Sequence, residues 1–281
     1  MMIQNLYAHR NYLSNLFLQF ENTKRQIMAT KDVLPVPYQV QKFVDINDFW
    51  QDALGILNNN HFYALGTVGA QGTGKTTLAE QGAVKAQQDG FKLIYALPED
   101  YLTDVNAWID RVSVNPSAKN CLILDDISYS FDTQSRKQQA MMKNVIARFR
   151  HIFQGQVFVI YITHRLHAAP PMLRNAGTWI FTQLTSIDRD DMTEIIGRSK
   201  EQRELLESMQ TFLTNCVTEG NKGNDIIYEY NNKQYKFRWG NAQDKGDGRL
   251  MAALHNDRLT LFNCKKEYDI DFNDYRYESV I

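Results

Sequence analysis

Short, predominantly apolar runs alternate with longer amphipathic stretches through the middle of this chain. The runs at 61–68, Phe91–Leu97, Asn120–Leu124, Val157–Ile162 and Thr178–Thr182 read as strands buried on both faces. Between them, the segment after Lys75 and residues near 103–112 and 134–152 read as helices. Buried strands separated by helices, with no hairpin turns between them, predict a mainly parallel sheet with helices on both faces. Ahead of this core, Leu6, Leu13, Leu16, Phe17 and Phe20 fall at roughly helical spacing and predict an N-terminal helical arm over residues 1–34. Leu34-Pro35-Val36-Pro37 breaks the arm as a rigid extended connector. A further helix, from about Asp45 to Leu57, carries Phe49, Trp50, Leu54 and Leu57 on one face. After the sheet, helices are predicted over 188–197 and 199–217.

The pattern then changes. Ile226–Tyr230 and Gln234–Trp239 read as two strands around a polar turn, and Gly240, Gly246 and Gly248 interrupt the stretch beyond Trp239. From Glu267 to Ile281, five acidic residues mix with four aromatics, which reads as a docking tail. The expected division is an arm and connector over 1–58, an α/β core over 59–220 and a small β-containing C-terminal module over 221–281.

Composition narrows the chemistry. At 281 residues with 43% apolar content, the chain can bury a large core. A net charge of −1 means that any nucleic-acid contact must come from a local basic patch. Cys121, Cys216 and Cys264 are scattered without metal-ligand spacing, which argues against zinc and for a reducing compartment. With no apolar run near the roughly 18 residues of a membrane span and no secretory pattern at the N-terminus, the expectation is a soluble, cytoplasmic protein.

The decisive motif lies between the first core strand and its helix. Gly69-Ala70-Gln71-Gly72-Thr73-Gly74-Lys75-Thr76 fits G-x-x-x-x-G-K-[ST] at every fixed position, in the strand–loop–helix context that a phosphate loop needs. Small residues let the backbone wrap a triphosphate with its N–H groups pointing inward. The positive end of the helix that begins near Gly74 faces the anion. Lys75 then reaches the β- and γ-phosphates of ATP, the Thr76 hydroxyl ligates Mg²⁺, and Thr77 completes the nucleotide-binding stretch. The expected fold class is therefore a P-loop NTPase three-layer α/β sandwich.

Cys121-Leu122-Ile123-Leu124-Asp125-Asp126 is an apolar strand ending in two carboxylates. Asp125 is assigned to the metal and Asp126 to polarising the attacking water. The strand Val157–Ile162 ends in Thr163-His164-Arg165. In a P-loop sheet this strand end lies between the phosphate loop and the double acid, so Thr163 or His164 is placed to sense the γ-phosphate or hold the water. A guanine-reading Asn-Lys-x-Asp is absent, since Asn221-Lys222-Gly223-Asn224 ends in asparagine, which favours ATP.

Four segments together resemble the FtsK–HerA superfamily, in particular the genome-packaging ATPases of double-stranded DNA viruses with double-jelly-roll capsids. They are the phosphate loop, Leu124-Asp125-Asp126-Ile127-Ser128, Arg148-Phe149-Arg150-His151, and Thr163-His164-Arg165 followed by Pro170-Pro171-Met172-Leu173-Arg174-Asn175. The resemblance covers roughly residues 60–185. It implies a homo-oligomeric ring, pentameric or hexameric, that moves double-stranded DNA in the host-cell cytoplasm, with capsid or vertex proteins as partners and a possible place in the virion. This sequence departs from the family in offering Thr163 and His164 where glutamine is common, and Asp126 where glutamate is common.

Arg148, Arg150 and His151 close a helix, where cations satisfy its C-terminal carbonyls. The alternative role is an arginine finger reaching a neighbouring subunit's γ-phosphate, for which Arg150 and Arg174 are preferred over Arg148 and Arg165. Over 133–151, Arg136, Lys137, Lys143, Arg148 and Arg150 occur without an acid. That is either a solvated face or, repeated around a ring, a DNA-backbone track. Rival readings are a cellular AAA-type helicase or loader, and an ATP-dependent switch or scaffold with little turnover.

Overall fold

The computed structural model of the chain describes residues 33–35, 40–102, 104–113, 118–127, 151–153, 155–164, 177–182, 199–222, 225–230, 232–238, 249–255 and 258–276. Strands β1 (Val33–Pro35) and β2 (Val40–Val44) precede helix α1 (Ile46–Ile56). The core continues as β3 (Phe62–Val68), α2 (Lys75–Gln88), β4 (Lys92–Ala96), α3 (Pro98–Leu102), α4 (Val105–Ser113), β5 (Lys119–Leu124), β6 (Gln156–Thr163) and β7 (Thr178–Phe181). Helix α5 (Lys200–Asn221) then leads to β8 (Asp225–Tyr230), β9 (Lys233–Arg238), β10 (Arg249–His255) and β11 (Arg258–Cys264).

Eight strands form one sheet in the order β2-β11-β10-β7-β3-β6-β5-β4. The five strands from β7 to β4 run parallel, as expected of a P-loop α/β sandwich. β6 lies between the phosphate-loop strand β3 and the double-acid strand β5. The sheet's two faces are sorted by the period-two alternation of strand side chains. Along β6, Val157, Val159 and Tyr161 pack in the layer that holds Trp108 of α4 and Leu206 and Met209 of α5. Phe158, Ile160 and Ile162 pack in the opposite layer with Trp50 of α1 and Leu78 and Ala83 of α2. Burying each such side chain stabilises the fold by about 1.5–3 kcal/mol before entropy is subtracted. A one-residue slip of β6 would exchange the two sets, so its register is strongly specified.

Local signals set the helix ends. The Asp45 carboxylate accepts from the Asn47 N–H and starts α1. Ser199 and Gln202 form a reciprocal capping box at the start of α5, which runs four residues past the expected end at 217. The helix expected near 103–112 is α4, with the Asp104 side chain accepting from the Ala107 N–H at 3.0 Å, and the short α3 before it was not expected. Gly82 lets α2 sit close to α1, because a Cβ there would come within 2.6 Å of the Trp50 ring.

Among the described residues beyond 220, the strands fall in two sheets. β8 and β9 pair with each other and with β1 in a separate three-stranded sheet. β10 and β11 instead extend the core sheet beyond β7, with β10 antiparallel to both of its neighbours. β2, within the stretch read as arm and connector, joins the same sheet parallel to β11. Edge pairing drives this arrangement, since without β10 the N–H and C=O groups of β7 would face outward. Of the helices expected over 1–34, 134–152 and 188–197, residues 1–32, 134–150 and 188–197 lie outside the described residues; Val33 and Leu34 belong to strand β1 and not to a helix, and His151 and Ile152 are helical.

Candidate nucleotide site

The phosphate loop connects Val68, the last residue of β3, to Lys75, the first of α2. Gly72 and Gly74 adopt φ of 73° and 90°, the left-handed region that favours glycine. Gly74 occupies the N-cap of α2 and contributes no side-chain cap, so the first-turn N–H groups face the hollow of the loop. The Thr73 hydroxyl donates to the Ala70 carbonyl at 2.7 Å and pairs with the Thr182 hydroxyl at 2.6 Å. The Thr182 N–H donates to the Val68 carbonyl at 3.1 Å, tying the loop to the end of β7.

Lys75 is buried, and its ammonium donates to the carbonyls of Gly69 and Ala70, each at 2.9 Å. It also lies 3.2 Å from His164 Nδ1. An ammonium can only donate, so Nδ1 accepts, and the neutral imidazole carries its proton on Nε2. Nε2 faces Asp126 Oδ1 at 3.9 Å. Asp126 has φ of 42°, an uncommon conformation for a residue with a side chain, at the turn where β5 ends.

The structure therefore brings Lys75, His164 and Asp126 together in one line. Asp125 stands beside them. Its Oδ1 accepts from the Asp126 N–H at 2.8 Å, and its Oδ2 accepts from the Tyr95 hydroxyl at 2.9 Å. Thr163 is fully buried opposite Val68 in the sheet register, whereas His164 is partly exposed in the site. Gln71 and Thr76 are exposed, and Thr77 is half-buried on the first turn of α2. Arg148, Arg150, Arg165 and Arg174 lie outside the described residues, and His151 is exposed.

Two residues not singled out from the sequence belong to this region. Arg249, the first residue of β10, donates from Nη1 to the Gly72 carbonyl across 177 positions of chain. A Cβ added at Gly74 would lie 3.6 Å from its Cδ, and burial pulls its guanidinium below the usual arginine value. The other is Tyr95. Both depend on pairings between distant strands; the only sequence signal for Arg249 is the Asn256-Asp257 turn between two β-prone runs.

Thr76 and Asp125 offer a hydroxyl and a carboxylate, the hard oxygen donors that Mg²⁺ takes alongside phosphate oxygens. Among the described residues no group of three or more His, Cys, Asp or Glu could hold a metal. The residues fit a metal that arrives with its nucleotide better than one held in an all-protein cage.

Residues 43–170 match the model of a family described as Novel STAND NTPase 3. The fold is that of a P-loop NTPase. No curated protein matches the sequence. Among solved structures, the genome packaging NTPase B204 from Sulfolobus turreted icosahedral virus 2, in complex with AMPPCP, is similar at 14% identity and a TM-score of 0.41. That alignment covers 72% of this chain and 97% of B204. A DNA replication initiation factor aligns at 15% identity and a TM-score of 0.37, over 63% of this chain and 60% of that one. AMPPCP-bound DnaA from Aquifex aeolicus aligns at 15% identity and a TM-score of 0.37, again over 63% and 60%. The chain thus spans less than two-thirds of the length of both replication proteins. No helix among the described residues is long and apolar enough to cross a membrane.

Proposed function

We propose that this NTPase hydrolyses ATP and, as a homo-oligomeric ring, moves double-stranded DNA, packaging a viral genome into a capsid. The observation that carries the hydrolytic part is the line from Lys75 through His164 to Asp126. His164 Nε2 and Asp126 Oδ1 are 3.9 Å apart, too far for a direct hydrogen bond. A water that accepts from Nε2–H and donates to the carboxylate fits across that span at about 2.8 Å from each. Such a water is oriented for attack, and Asp126 takes its proton. Lys75 stabilises charge on the γ-phosphate oxygens, and the α2 N-terminus does the same for the phosphates behind it. When bound, Mg²⁺ held by Thr76 and Asp125 would neutralise phosphate charge.

The motor part rests on the FtsK–HerA resemblance and on the run of cations over 133–151. Repeated around a ring, those cations would follow a DNA backbone without reading sequence. Arg150 or Arg174 would reach the next subunit's nucleotide, coupling hydrolysis to movement at the interface. Capsid or vertex proteins are the expected docking partners, in the host cytoplasm and at the virion. Steady-state ATPase activity with and without double-stranded DNA tests the reading, with Lys75→Ala as control. Turnover that rises with DNA and vanishes in the variant supports a DNA-driven ATPase. Tight binding without turnover in either condition refutes it in favour of a switch or scaffold.

A further inference from the structure

Tyr95 joins the candidate metal carboxylate to the C-terminal end of the described chain. It is the fourth residue of β4, the edge strand of the eight-stranded sheet, and it is buried. Its hydroxyl donates to Asp125 Oδ2 while the Asp126 N–H donates to Oδ1, so both carboxylate oxygens are held and the plane of the group is fixed.

The ring of Tyr95 is held from outside the sheet. Phe272, in a 3₁₀ turn over Phe272–Tyr275, stacks on it with centroids 4.7 Å apart and planes 9° from parallel. Arg276, directly after that turn, makes a β-bridge to Tyr95. Its Nε donates to Asp100 Oδ1 and Oδ2 at 2.8 and 2.9 Å, and its Nη2 donates to Glu99 Oε1 at 2.9 Å. Asp100 is nearly fully buried and also accepts from the Leu97 N–H at 2.8 Å, which fixes the start of α3 just beyond β4. A strap of chain is thus clamped over the sheet edge at the residue that grips Asp125.

We infer that Tyr95 is a positioning residue for Asp125, and that the Phe272–Arg276 strap, by holding Tyr95, sets how tightly the site takes Mg²⁺ with its nucleotide. This rests on the reading of Asp125 as the Mg²⁺ carboxylate. With the strap in place the carboxylate is presented in one orientation. Anything that draws the strap away frees the ring, and the carboxylate can then rotate. The strap lies within the acidic and aromatic stretch Glu267–Ile281, so its release would be a way to weaken metal-dependent turnover without touching the phosphate loop.

The test is a Mg²⁺ titration of the full chain with a fluorescent ATP analogue, read by binding and separately by turnover. Tyr95→Phe keeps the stacked ring and removes only the hydroxyl. The Mg²⁺ concentration at half-effect should rise about tenfold, the scale of one lost hydrogen bond to a charged group. Analogue binding in the absence of Mg²⁺ should stay within about twofold of the parent, because the phosphate-loop donors are unchanged. Phe272→Leu, which keeps apolar cover and loses the stack, should shift the same midpoint by about threefold. Asp125→Asn separates the two levels. If it leaves the Mg²⁺ midpoint unmoved, the metal reading itself fails and the inference with it. If it moves the midpoint and Tyr95→Phe does not, the positioning role alone is overturned.

Discussion

Replacing His164 tests the hydrolytic line at its centre. His164→Ala removes the acceptor 3.2 Å from Lys75 Nζ and the N–H that faces Asp126. Lys75 keeps the Gly69 and Ala70 carbonyls, so the ammonium stays near its place and ATP binding should change little. The loss falls on the attacking water, which no longer has a donor to fix it beside the carboxylate. One charge-assisted positioning interaction is worth about 3 kcal/mol in the transition state, or roughly a hundredfold in kcat. The expected result is kcat down about a hundredfold with KM for ATP within about threefold. His164→Asn returns an acceptor near Lys75 without the distal N–H, so it should stay as slow as alanine. Because His164 is partly exposed, its thermal midpoint should match the parent, which rules out unfolding as the cause. An alanine variant with kcat within about threefold of the parent would refute the arrangement. So would full recovery in the asparagine variant, which would move the role to the Lys75 contact.

Three other outcomes are expected from separate parts of the molecule. Arg249→Ala removes the donor to the Gly72 carbonyl and should weaken nucleotide binding about tenfold by titration calorimetry; Arg249→Lys should recover part of that loss. Gly82→Ala places a methyl against the buried Trp50 ring at 2.6 Å and should cost about 1–3 kcal/mol in urea melts. Burial pushes the Tyr63 phenol up to about 12 from its ordinary 10. Between those values the unfolded chain loses its proton first, so stability falls as pH rises, by roughly 3 kcal/mol in all. Urea melts at about pH 9 and about pH 11.5, on either side of most of that window, should show a fall that is smaller in Tyr63→Phe.

The core of this protein is legible in its sequence because the strongest signals are local. The run Phe62–Val68, the phosphate loop and the helix after it lie within one βα unit, so sequence spacing alone places them together. The apolar strands ending in Asp125-Asp126 and in Thr163-His164 are equally local, and the parallel-sheet rule puts both ends on one edge. Whether Thr163 or His164 faces the site is not legible. The outcome depends on where β6 ends relative to β3: Thr163 is the last paired residue, opposite Val68, and His164 is the first one beyond. The hairpin of β10 and β11 is obscured because Gly240, Gly246 and Gly248 precede it, and its two-residue Asn256-Asp257 connection is a weak turn signal beside them. The same gap hides Arg249, whose partner in the loop is reached only through the pairing of β10 with β7. Tyr95 reads in the sequence as one more aromatic in a buried strand. Its role comes from its register opposite Ile123, two residues before Asp125, and from a strap 177 residues or more away.

The most direct test of the motor proposal is displacement of a triplex-forming strand from linear double-stranded DNA by the assembled protein. The account predicts release that requires hydrolysable ATP, stops with a non-hydrolysable analogue and is lost in Lys75→Ala. ATP turnover without strand release would contradict translocation and leave a DNA-responsive ATPase of another kind.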